Sequence, residues 1–188
     1  VIVPIYKGQE QLDLISEKAK EIQKRLRSRG IRVKFDNRDT HKPGWKFAEY
    51  ELKGVPMRIA MGPRDLENNT VELARRDTLS KEVVAIDGLE DLIQEKLEQI
   101  QKSLLAKARD FRKENSYQCD TWDDFKARIE SGGFVWAHWD GSSETEERIK
   151  GETKATIRCI PLESDAETGS CVYSGAPSKG RVIFAKAY

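Results

Sequence analysis

The chain has 188 residues, 38% of them hydrophobic and 35% charged, with a net charge of +1. That length admits one larger domain or two small ones, and the near-neutral balance excludes an overall field that would drive the protein onto nucleic acid or an anionic membrane, so any polyanion must be met by a local surface. No apolar run approaches the roughly 18 residues of a membrane span, and no signal peptide is visible.

Val1–Ile5 (VIVPI) reads as a buried strand. A helix follows from Gly8 to Gly30, with Leu12, Ile15, Ala19, Ile22 and Leu26 at spacings of three and four and Gly30 as its stop. IRVKFD (31–36) reads as a second strand, NRDTHKPG as a loop, and Trp45 to Lys53 as a short helix. PMRIAMG (56–62) and TVELARR (70–76) read as strands separated by a turn at Leu66–Asn69. This order predicts an α/β domain over 1–87, a mixed sheet with helices against it. A long helix, Leu89 to about Asn115, carries Leu89, Ile93, Leu97, Ile100, Leu104, Ala108 and Phe111 on one face. At roughly 40 Å it suits a connector over 88–116. A second, α+β unit over 117–188 is predicted to hold helices at 121–132, capped by Asp120 or Thr121, and at 144–150. Its strands are FVWAHW (134–139), ATIRCIPL (155–162), SCVYS (170–174) and RVIFAKAY (181–188).

The chain offers little for catalysis. His41 and His138 are its two histidines, no Ser or Cys sits in a nucleophile motif, and neither GxxxxGK[ST] nor GxGxxG occurs. Cys119, Cys159 and Cys171 are odd in number and far apart, which speaks against a disulfide framework and points to a reducing cytoplasm. The chain opens without Met in an apolar run, as expected of a piece of something longer. The strongest signal is region 36–65, where Arg38, Lys42, Lys46, Lys53, Arg58 and Arg64 interleave with Trp45, Phe47 and Tyr50. Aromatics stack on unpaired bases, cations reach phosphates and base acceptors, and glutamates accept from guanine N1 and N2, so a mixed surface suits specific reading of single-stranded RNA. Composition leaves a second reading open, in which Phe47, Tyr50 and Leu52 are core and the charges are solvated.

The ordered string DNRDTHKPGWKFAEYELKGVPMRIAMGPRD, followed by VELARRD, resembles the anticodon-binding domain of the prolyl-tRNA synthetase family in its archaeal and eukaryotic-like form. The resemblance continues through DTWDDFKARIESGGFVWAHWDG to CVYSGAPSKGRVIFAKAY, the family's C-terminal domain. It implies a C-terminal fragment of a class II synthetase. The parent joins proline to tRNA(Pro) through prolyl-adenylate with ATP and magnesium, as a homodimer formed through a catalytic domain that is not in this chain. The fragment is expected to bind tRNA, to take no cofactor and to be inactive alone. By resemblance, Arg38, Trp45, Lys46, Glu49, Glu51, Lys53 and Arg64 form the anticodon-reading surface, with Glu49 and Glu51 as guanine acceptors; Glu49 and Lys53, four apart, equally suit a surface ion pair. Tyr188 is expected to reach back toward the catalytic domain. Many members hold a structural zinc on four cysteines. Here those positions fall on Asp140, Thr145, Cys171 and Ser174 (or Tyr173), a poor zinc set, so zinc is expected to be absent. The alternatives are a non-catalytic regulatory or scaffold module with this fold, or the anticodon domain of another class II synthetase.

Overall fold

Apolar periodicity sets the first elements of the structure, a computed structural model that describes residues 1–162 and 167–187. Strand β1 (Ile2–Pro4) and strand β2 (Met57–Met61) run parallel and are buried at every position. Continuous apolar runs of this kind mark strands covered on both faces. Between them, helix α1 (Gln9–Ser28) buries Leu12, Ile15, Ala19, Ile22 and Leu26, the stripe read from the sequence. Its end is sealed by the Gly30 N–H donating to Arg27 O, with Gly30 at φ 77°, where a side chain is disfavoured. Helix α2 (Pro43–Leu52) begins with proline in its first turn, where the missing N–H costs nothing. Helix α3 (Pro63–Glu67), strand β3 (Thr70–Arg75) and strand β4 (Lys81–Ala85) complete a four-stranded mixed sheet in the order β1-β2-β3-β4. Ile2, Ile15, Leu26, Ile59 and Leu73 meet in its core. Each such side chain contributes on the order of 1.5–3 kcal/mol by leaving water.

One expectation for this unit needs correction, and two elements went unread. Segment 31–36 is not a ladder strand: Phe35 makes one bridge to Ile2, with Ile2 N donating to Lys34 O and Asp36 N to Ile2 O. The chain then turns, because the Asp36 carboxylate accepts from the Arg38 backbone N–H at 3.2 Å. The turn expected at 66–69 is present, closed by Asn69 N donating to Leu66 O, but it follows the helix α3, which was not read from the sequence. Strand β4 was not legible, since it is an edge strand with Val83 68% exposed, and a one-sided ladder needs no alternating pattern.

Helix α4 (Leu89–Glu114) contains the division between the two compact units, Val1–Ala106 and Lys107–Tyr188. Its apolar face is buried at Leu89, Ile93 and Ile100, but Leu104 and Phe111 are 48% and 68% exposed, so the continuous stripe expected there ends at Ile100.

In the second unit, strand β5 (Ser116–Gln118) leads to helix α5 (Trp122–Ser131), whose cap is Thr121, its hydroxyl accepting from Asp124 N. Strand β6 (Phe134–His138), helix α6 (Ser143–Thr153), strand β7 (Ala155–Cys159), the short pair β8 (Gly169–Ser170) and β9 (Pro177–Ser178), and strand β10 (Arg181–Lys186) follow. The main sheet has the order β5-β6-β10-β7. Its core includes Phe125 and Phe184, edge to face at 5.1 Å. The strand expected over 170–174 is a turn beyond Ser170, closed by Gly175 N donating to Cys171 O.

Candidate nucleic-acid interface

The interface is organised from beneath by Asp36, whose side chain is fully buried. Arg38 grips it in bidentate fashion, Nε to Oδ1 at 2.8 Å and Nη2 to Oδ2 at 2.7 Å, and the Tyr50 hydroxyl donates to Oδ2 at 3.0 Å. The Arg38 guanidinium above all, aided by its backbone N–H and the Tyr50 hydroxyl, outweighs burial and holds this carboxyl well below the usual range.

Lys46 is the clear departure from the expected RNA surface. It is 1% exposed, and its Nζ donates to the carbonyl oxygens of Asp36 and Arg38, 3.7 Å from the Asp36 carboxylate. Burial lowers its pKa, and the nearby Asp36 opposes that shift. Lys46 therefore pins the loop entering α2, its ammonium turned away from solvent. Its one-residue offset from Trp45 turns it inward while Trp45 faces out.

Above this base lies the exposed layer. Arg38, with 39% of its side chain exposed, also donates to Glu49, and Glu49 accepts from Lys53 one helical turn on. The Lys53 ammonium first, and then Arg38, lowers the Glu49 pKa. The ion-pair reading of Glu49 and Lys53 thus describes this structure, and both Glu49 oxygens already have partners. Trp45 is 47% exposed, stacked on His41 at 3.7 Å, with the Arg38 guanidinium 5.6 Å from its ring. Glu51 keeps 56% of its side chain in solvent, and among the described residues its carboxylate meets only Arg58, at 3.5 Å. Arg64 is exposed in the first turn of α3, and among the described residues no hydrogen bond or ion pair joins it to the Arg38 cluster. Leu52, assigned a share of the packing, is 89% exposed, while Phe47 is half-buried with the Arg58 guanidinium 3.6 Å above its ring. Sequence reasoning missed Asp36 and His41 as parts of this site. Only their position in the same ordered string marked them.

Three of the four degenerate zinc positions in the second unit, Asp140, Thr145 and Ser174, also come together. Asp140 Oδ2 accepts from Thr145 Oγ1 at 2.8 Å and from Ser174 Oγ at 2.6 Å, and Oδ1 accepts from the Ser142 N–H at 2.9 Å. Burial pushes this carboxyl up, but these hydrogen bonds, led by Ser174, bring it well below the usual range. Cys171 is 3% exposed in the same turn as Ser174. One thiol with a carboxylate and two hydroxyls already engaged with each other does not fit a structural zinc, which takes thiolate and imidazole. His138 is likewise structural: it is 5% exposed, 3.1 Å from Ser178 Oγ and 3.6 Å from Glu167. The Ser178 hydroxyl donates to Gly180 O. Tyr188 lies outside the described residues.

The first unit is a mixed-sheet α/β domain bearing an exposed Trp–Arg–Glu–Lys surface on a loop and short helix, and the comparisons give it a family. Residues 1–96 match the family model described as the anticodon binding domain, and the chain belongs to that family. Residues 122–188 match the model for the C-terminal domain of prolyl-tRNA synthetase. Over its whole length the chain is 61% identical to a proline–tRNA ligase of Porphyromonas gingivalis, 58% to one of Parabacteroides distasonis and 57% to one of Christiangramia forsetii. It spans 38% of the length of each of these relatives.

Proposed function

We propose that this chain reads the anticodon of tRNA(Pro) as the C-terminal part of a proline–tRNA ligase. The parent ligates proline to tRNA in the cytoplasm with ATP and magnesium, as a homodimer through its catalytic domain. In this reading residues 1–87 recognise the anticodon, 88–116 connect, and 117–188 form the C-terminal domain. The observation that carries it is the Arg38–Trp45–His41 platform standing on the domain that matches the anticodon-binding family. Trp45 offers an exposed ring face for a base. Arg38, fixed by Asp36, offers a pre-oriented cation, so little side-chain freedom is lost on binding. Glu51, more than half exposed and held by a 3.5 Å contact to Arg58, is the more available carboxylate for a guanine edge, and Glu49 serves only by exchanging Lys53 or Arg38 for the base. Lys53 and Arg64 supply donors to phosphates or base acceptors.

The second unit, in the same reading, is closed without zinc: the Asp140 carboxylate draws Thr145 and Ser174 together where a metal would hold thiolates.

The test is binding of the chain to tRNA(Pro) and to variants with either anticodon guanine replaced. Each replacement is expected to cost about 1–3 kcal/mol. Equal affinity for all three RNAs would overturn the reading.

A further inference from the structure

The second unit carries a surface that the anticodon reading does not use. Helices α5 and α6 pack on one face of the β5-β6-β10-β7 sheet, so Val135, Ala137, Val182 and Phe184 point into the core. The alternate positions face the other way. The register sets Gln118, Trp136, Ile183 and Cys159 side by side across all four strands, with Phe134 two residues from Trp136. Phe134 is 41% exposed and Trp136 half-buried.

Two features make this bare face cationic. The pairing of β10 with β7 slips between Ile183 and Phe184, leaving Arg158 as the extra residue of a β-bulge. Bulges re-aim a side chain, and here Arg158 lines the same hollow as Trp136 and Ile183, anchored by a 3.1 Å hydrogen bond to Ala185 O. The last turns of α4 add Arg109, Arg112 and Lys113 to the rim of this hollow of about 700 Å³. Asp110 is the one carboxylate among its lining residues. No ion pair among the described residues involves Arg109, Arg112, Lys113 or Arg158, whereas Lys126, Lys150 and Arg181 of the same unit are all paired with carboxylates. Among the described residues of a chain of nearly zero net charge, four cations thus stand without an ion pair around two aromatic rings. An acidic peptide would answer the charges but has no use for the rings. Phosphates with unstacked bases answer both.

We propose that this sheet face is a second RNA-binding surface, taking the sugar–phosphate backbone of a strand on Arg109, Arg112, Lys113 and Arg158 and an unstacked base on Phe134 and Trp136. It concerns RNA contact independent of anticodon sequence, so it stands or falls separately from guanine reading by the first unit.

Cys159 makes the test direct, because it is exposed in the hollow while Cys119 and Cys171 are buried. Saturating tRNA(Pro) is expected to slow maleimide labelling of Cys159 in the 188-residue chain several-fold. A tRNA with its anticodon guanines replaced is expected to do the same at saturation, as is a single-stranded homopolymer RNA. The double substitution Arg112→Glu and Arg158→Glu, at exposed positions, is expected to weaken every RNA alike. It should lower the slope of log affinity against log salt by about 1.4–1.8 while leaving the ratio between normal and guanine-replaced tRNA intact. An unchanged labelling rate with saturating tRNA, or a double variant with unaltered affinity and salt slope, would overturn the proposal. So would protection by polyglutamate and not by RNA, which would assign the face to an acidic protein. Loss of guanine discrimination with Cys159 protection retained would sink the anticodon reading alone.

Discussion

Asp36 in the first unit and Asp140 in the second are both carboxylates held well below their usual range, yet their partners differ in kind. Asp36 is answered by cations, with Arg38 gripping it and Lys46 buried 3.7 Å away. Asp140 is answered by neutral donors, two hydroxyls and a backbone N–H. The cationic arrangement leaves Arg38 with 39% of its side chain exposed, a fixed cation at the surface. The neutral arrangement exhausts its donors on one carboxylate and prepares nothing; it draws a loop, the start of α6 and the 171–175 turn together. The same residue type therefore leaves a charged donor at the surface in one unit and ties segments together in the other, according to whether its partners carry charge left over.

The largest effect is expected where a buried charge loses its partner. Asp36→Ala strands Lys46 and frees Arg38, and is expected to cost the first unit about 3–5 kcal/mol in urea unfolding followed by hydrogen exchange of α1 and β2 amides. A loss no larger than that of an ordinary surface substitution would erase the contrast with Asp140.

Asp140→Ala removes no charge partner and leaves one N–H and two hydroxyls to find others, so about 1–3 kcal/mol is expected, confined to amides of the second unit. A chelator should leave the unaltered chain's melting temperature in place. Replacing Asp140, Thr145 and Ser174 together by cysteine, beside Cys171, is expected to create a site taking one zinc, with melting then sensitive to chelator. Zinc found in the unaltered chain would break the account of a neutral clamp.

Trp45→Ala separates the two roles more finely. It is expected to cost about 1–3 kcal/mol of tRNA affinity through lost stacking, with no change in urea unfolding, because the ring is 47% exposed.

The mildest expected effect is an acid response. Glu90, paired with Arg25, has its pKa lowered to about 2, mainly by that guanidinium. The folded pKa lies below the unfolded value, so its contribution is present above the ordinary glutamate range and is lost as pH falls toward 2. Hydrogen exchange in α1 and the start of α4 is expected to rise over that window, and Glu90→Gln should flatten the rise.

The amino-acid sequence by itself determined the elements that rest on long periodic patterns. The α1 stripe from Leu12 to Leu26 and the buried runs of β1 and β2 stand where spacing places them, because each follows from local geometry and burial alone; for the cap of α5 the sequence offered Asp120 or Thr121, and the structure selects Thr121. The ordered string over 36–65 also marked the segment that holds the Arg38, Trp45 and Glu49 cluster. Tertiary structure alone decided which residues of that string face outward. Lys46 and Trp45 are neighbours in the chain, yet one is sealed beneath Arg38 and the other is open. That choice depends on Asp36, ten residues before Lys46, whose burial demands cations. Strand β4, an exposed edge, and the meeting of Asp140 with Ser174 across 34 positions were equally silent in sequence. Pairing between distant segments leaves no periodic trace, because its partners are chosen by the fold and not by spacing along the chain.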